Sequence, residues 1–134
     1  MKQDIITPEV KDIIVAVVPR DNGADEQLWD TYIVNLREEP MESVLITSQG
    51  YGEIDGRDKT TTVLRHFHQI IMPNSFLKVE PIQEALFGLK NEYWISFNDG
   101  DVMLDKRYVF QPGEINEEAL KTVPVLDRPG VMLQ

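Results

Sequence analysis

The sequence predicts an α+β fold: a single domain, residues 1–134, with a mostly antiparallel sheet packed against one main helix and one or two short helices. Three observations lead there. Short β-rich segments recur between Gly, Pro, Asn and Asp; one segment carries its apolar residues at helical spacing; and the strands group before and after that segment instead of alternating with helices, which disfavours a doubly wound parallel sheet. At 134 residues the chain can bury a core without a disulfide or a structural metal.

The first element is Ile13-Ile14-Val15-Ala16-Val17-Val18, an apolar run closed by Pro19. With no polar alternation it reads as a strand buried on both faces. The polar loop Arg20-Asp21-Asn22-Gly23-Ala24-Asp25 follows. Over residues 28–36 the set Leu28, Tyr32, Val34 and Leu36 alternates with Trp29, Thr31, Ile33 and Asn35, a second strand. Arg37-Glu38-Glu39-Pro40 leads to a third strand at about residues 43–49, and the spacing favours an antiparallel meander. Gly50-Tyr51-Gly52-Glu53-Ile54-Asp55-Gly56-Arg57-Asp58 is a loop by composition.

Val63, Leu64, Phe67, Ile70 and Ile71 then fall at i, i+1, i+4, i+7 and i+8, one face of a helix over about residues 61–71. Asp58 or one of Thr60, Thr61 and Thr62 supplies its cap, and Pro73-Asn74 stops it. A short strand at 76–79 precedes Pro81, which opens a short helix over 82–87 that Gly88 terminates. Residues 92–97 and 102–110 flank Asn98-Asp99-Gly100-Asp101, and an Asp-Gly pair between two β-rich runs is a strong hairpin signal. Asn116 caps a further short helix over 117–121, after which Pro124 and Pro129 limit the chain to a strand fragment. The expected core comprises Ile14, Val15, Val17, Ile33, Val34, Val63, Leu64, Phe67, Ile71, Leu86, Ile95 and Phe97.

The formal charge of −10 argues against direct binding to nucleic acid, because a phosphate backbone is held by Lys and Arg that displace counterions. An anionic membrane is disfavoured for the same reason. No run approaches the ~18 apolar residues of a membrane span, and the acidic start, Met1 to Glu9, has no apolar segment of the signal-peptide kind. A cytoplasmic protein is expected. The absence of Cys excludes thiol catalysis, cysteine zinc sites and iron–sulfur clusters.

Candidate chemistry is sparse. His66 and His68, the only histidines, point about 200° apart on a helix and share a face only on a strand. On the helical reading they do not chelate a metal together. Gly50, Gly52 and Gly56 do not match the dinucleotide fingerprint, and Glu53, Asp55 and Asp58 would repel phosphate. Those three carboxylates suit a hard cation by ligand type but not by EF-hand spacing, and Asp99, Asp101 and Asp105 fail the same test. Ser43, Ser48, Ser75 and Ser96 lack a nucleophile-elbow context. No catalytic, metal or cofactor-binding residue is therefore assigned, and no cofactor is expected.

The aromatics carry more information. A pleated strand sends neighbours to opposite faces, so Tyr93 and Trp94 cannot both enter one core, and the same alternation separates Trp29 from Tyr32. An exposed Trp or Tyr is a common interface anchor, which makes Trp29, Tyr51, Tyr93 and Trp94 the candidate interface residues.

The segments Gly50-Tyr51-Gly52, Val63-Leu64-Arg65-His66-Phe67, Asn91-Glu92-Tyr93-Trp94 and Gly130-Val131-Met132 resemble a family of short, acidic, uncharacterised bacterial proteins, some of which carry the name phenylalanyl-tRNA synthetase alpha subunit. The resemblance spans most of the chain and implies no activity, fold or site residue. A class II aminoacylation core is longer than this chain and needs basic ATP- and tRNA-binding residues that a −10 domain lacks. The expected function is a non-enzymatic protein-interaction module, self-associating or serving as an accessory subunit, with aromatic anchors and acidic loops. Two alternatives are a small cation-dependent hydrolase built on residues 53–58 and a domain binding a small ligand in a sheet-lined cavity.

Overall fold

A computed structural model describes residues 9–20 and 27–134. The described residues form ten strands in two antiparallel sheets packed face to face, and their only helical pieces are single 3₁₀ turns at Glu84–Leu86 and Glu117–Ala119. The expected α+β class is thus corrected to an all-β sandwich. The segment read as the main helix is a strand.

The strands are β1 (Ile13–Pro19), β2 (Leu28–Asn35), β3 (Met41–Ile54), β4 (Arg57–Thr60), β5 (Leu64–Ile71), β6 (Ser75–Gln83), β7 (Lys90–Asp99), β8 (Val102–Phe110), β9 (Lys121–Val123) and β10 (Arg128–Leu133). Sheet one has the order β6-β2-β1-β10-β9. In sheet two β7 and β8 lie to one side of β3, while β5 and β4 line up end to end along its other edge. The polar loop expected at 20–25 lies, beyond Arg20, outside the described residues, as do residues 1–8.

Residues 13–18 are all buried, and the reason is the position of β1 in the centre of sheet one, between β2 and β10. Its inward residues Ile13, Val15 and Val17 meet Val44, Ile46, Ile95, Phe97 and Phe110 of sheet two in the main core. Its outward residues Ile14, Ala16 and Val18 join Tyr32, Val34 and Val123 in a second cluster, which Leu36, Leu126 and Met132 help to cover. A run with no polar alternation is what a strand buried on both sides requires.

The Gly50–Asp58 segment is not a loop. Gly50 is buried within β3, and the chain turns only at Asp55-Gly56, where φ values of 52° and 77° match the left-handed pair of a two-residue hairpin. Between β7 and β8 the two-residue turn is Gly100-Asp101, closed by the Asp99–Val102 pair, with Gly100 at φ 61°. Pro81 sits inside β6 instead of opening a helix, and the short helix expected at 82–87 shrinks to the turn at 84–86. Asn116 does cap its 3₁₀ turn, its side chain accepting from the amides of Glu118 and Ala119 at 2.8 and 3.1 Å.

Residues 61–71 fail as a helix because their apolar side chains do not share one environment. In β5, Phe67 lies opposite Leu45 on the outer surface, while His66 lies opposite Ile46 on the inner one. Of the expected core, Ile71 is buried, Val63 and Leu86 are partly buried, and Leu64 and Phe67 are exposed. Thr60, Thr61, Thr62, Val63, Ile70 and Ile71 are β-branched, and that stiffness favours a pleated strand over a helix.

Candidate functional site

Two features of sheet two and its border with sheet one have functional character. The first is the outer face of sheet two, and it follows from strand alternation. Inward residues of β3 and β7 such as Ile46, Tyr93, Ile95 and Phe97 are buried. Their neighbours Leu45, Thr47, Trp94 and Ser96 must then point out. Registry sets them in rows: Phe67, Leu45, Ser96 and Asp105 cross the sheet side by side, and Arg65, Thr47, Trp94 and Arg107 form the next row. Phe67 is 64% exposed and Trp94 42% exposed, with Leu45 and Ile70 also open to solvent. Near the end of β3, Arg107 reaches both Glu92 and the Tyr51 hydroxyl, donating to the latter at 2.8 Å.

Of the four aromatics selected from sequence, this face receives Trp94 and Tyr51. Trp29 is buried and meets Phe87 edge-on at 5.1 Å. Tyr93 is buried against Phe110, with its hydroxyl 2.8 Å from Thr31 Oγ1. Burial raises the Tyr93 phenol pKa well above its ordinary value; the Thr31 hydrogen bond opposes this and the Glu80 charge adds to it. Both side chains belong to the main core cluster. Sequence reasoning missed Phe67 and Leu45, which outrank Tyr51 in exposure, because the helical reading assigned Phe67 to the core.

The second feature is a polar layer between the sheets. Between Thr31 and Tyr32 the register of β2 with β6 slips by one: Tyr32 pairs with Lys78, but Thr31 pairs with Glu80. This bulge reverses the alternation and turns Glu80 inward. Its carboxylate accepts from Ser48 Oγ at 2.8 and 3.0 Å and lies 2.8 Å from His66 Nε2. Thr31 and Glu80 from sheet one thus meet Ser48, Tyr93 and His66 from sheet two.

This layer floors a cleft of about 370 Å³ that opens where residues 61–63 pass from β4 to β5. Its walls include Leu28, Leu64, Ile82 and Leu86 on the apolar side and Ser48, Glu80, Asn91 and Tyr93 on the polar side. The size falls within the range of small-molecule sites.

His66 and His68 share the inner side of β5, as they must on a strand, yet no group of three His, Asp or Glu that could hold a metal occurs among the described residues. Glu53, Asp55 and Asp58 lie exposed along the β3–β4 hairpin, away from both histidines' pairing partners Ile46 and Val44. Asp99 is taken by Arg37 at 2.8 Å. Among the described residues no helix is long and apolar enough to cross a membrane. No family model, curated protein or solved structure matches the chain.

Proposed function

We propose that the protein is a non-enzymatic interaction module that pairs with a second copy of itself through the outer face of sheet two. The observation that carries this reading is the exposed cross-strand group Phe67, Leu45, Ile70 and Trp94 on a sheet surface that no other described element covers in the way Leu36 and Leu126 help to cover sheet one. An apolar patch of this kind on a water-facing sheet costs solubility unless a partner buries it.

Charge favours a second copy as the occupant. The protein carries −10 overall, so two copies repel over most of their surface. Across the four strands of this face, however, Arg65, Lys90 and Arg107 stand with Glu42, Glu53, Glu92 and Asp105, a formal sum of −1. Two anionic molecules therefore meet little of that repulsion across this face. A two-fold contact is self-complementary by symmetry, and the spacing of Arg65 and Asp105 at opposite edges of the face lets each pair with the other's counterpart.

Sedimentation equilibrium tests the reading. The wild-type chain should sediment as a dimer whose dissociation constant rises sharply in Phe67→Ser and Trp94→Ala, while circular dichroism stays that of the folded sandwich. A wild-type monomer at every accessible concentration would rule it out.

A further inference from the structure

Independently of self-association, we infer that the cleft between β6 and the β4–β5 junction binds a small organic cation, an ammonium group carried on an apolar body. Two carboxylates of β2 and β6, Asp30 and Glu80, are withdrawn from water, and the chain provides for them differently. Asp30, with a side chain 4% exposed, is met by Arg20 at 3.0 Å and by Lys78 at 3.6 Å. A carboxylate withdrawn from water needs such partners, because an uncompensated buried charge is costly.

Glu80 is nearly as withdrawn, its side chain 10% exposed, yet the chain supplies it with no Lys or Arg among the described residues. It has the neutral Ser48 hydroxyl and His66, which is a cation only when protonated. An ionised carboxylate offers about four acceptor positions. Ser48, shared between both oxygens, and His66 fill at most three of them. The bulge in β6 turns Glu80 inward, where regular alternation would have sent it to solvent.

The cleft completes the specification. None of its lining residues is Lys, Arg or His, and its second carboxylate, Glu92, is engaged by Arg107. A ligand entering it therefore meets one carboxylate with acceptor capacity, the hydroxyls of Ser48 and Thr61 or Thr62, and an apolar wall of Leu28, Leu64, Ile82 and Leu86. Anions are repelled at this point and by the net charge of the whole protein. An ammonium group on Glu80 with a carbon skeleton against the leucines satisfies both sides.

Three probes of one shape separate charge from shape: 2-phenylethylamine, 2-phenylethanol and phenylacetate, with butylamine and putrescine as further amines, each titrated into the full chain by calorimetry and followed by amide chemical shifts of Gly50 and Asn91. The amine of the first series should bind at least about tenfold more tightly than the alcohol, and the carboxylate should not bind. Glu80→Gln, which keeps size and the Ser48 contact, should remove that preference while leaving the fold intact by circular dichroism. Equal affinity for amine and alcohol overturns the inference, as does undiminished amine binding by Glu80→Gln or the absence of binding by all three amines at millimolar concentration. The probe series on the wild-type chain decides the matter even if the variant does not fold.

Discussion

Replacing Phe67 by Ala distinguishes the sandwich from the helical reading of the same residues. With 64% of the residue exposed, only about a third of the side chain is out of water. Full burial of a Phe side chain stabilises by about 1.5–3 kcal/mol, so this fraction contributes roughly 0.5–1 kcal/mol. A core Phe on the buried face of a helix would instead cost about 3–5 kcal/mol on truncation, cavity included. Association moves the other way. A central aromatic anchor contributes at least about 2 kcal/mol to an interface, or roughly 30-fold in the dissociation constant, and a two-fold contact loses it twice. Urea denaturation below the dimer dissociation constant isolates the first quantity, since a folded dimer would otherwise add its own stabilisation. Sedimentation gives the second. A stability loss near 3 kcal/mol or more would show Phe67 to be a core residue and refute the placement of β5; an unchanged dissociation constant would remove the outer face as the interface.

Other consequences follow from the packing. Tyr93→Phe should destabilise by about 1–2 kcal/mol by leaving the buried Thr31 hydroxyl without its partner, and Thr31→Val in the same chain should recover much of the loss; strictly additive losses in the double-mutant cycle would contradict the 2.8 Å contact. Gly130→Ala would bring a Cβ to 2.8 Å from Val18 Cγ2, 2.9 Å from Val123 Cγ2 and 3.2 Å from the Val17 carbonyl oxygen, so about 1–3 kcal/mol of stability should be lost and the melting temperature should fall. Burial holds the phenols of Tyr93 and Tyr108 above their ordinary pKa. Their stabilising contribution is complete below the unfolded value near 10. Above it the unfolded state has fewer bound protons than the native one, so stability should fall by up to about 1.4 kcal/mol per pH unit per tyrosine. Urea midpoints that stay level as pH rises through that range would contradict the burial of both rings.

Much of the strand inventory was written locally. The unbroken run 13–18 specified a strand with both faces covered, the alternation in 28–36 specified the second, and the Asn98-Asp99-Gly100-Asp101 segment specified the β7–β8 hairpin, which turns at Gly100-Asp101. These signals are legible because they depend on residues close in sequence: turn chemistry needs a Gly at positive φ, and alternation needs only the pleat. The Asp55-Gly56 turn carried the same signal, but its flanking strands are polar and Gly-containing, so composition concealed it.

Three things were decided only by the tertiary structure. The spacing of Val63, Leu64, Phe67, Ile70 and Ile71 is compatible with a helix or with a strand that carries apolar residues on both faces; pairing of β5 with the edge of β3 chose the strand, and thereby exposed Phe67. The division of Tyr93 from Trp94 was implied by the pleat, but which of them faced in depended on where sheet one came to lie, and Tyr93 found Thr31 there. Glu80 is the clearest instance. Counting residues along β6 places it on the outer side with Lys78, and only the one-residue slip against β2 turns it toward Ser48, His66 and the cleft. A bulge arises from the match between two strands distant in sequence, so the residue it redirects belongs to the pairing and not to either segment alone.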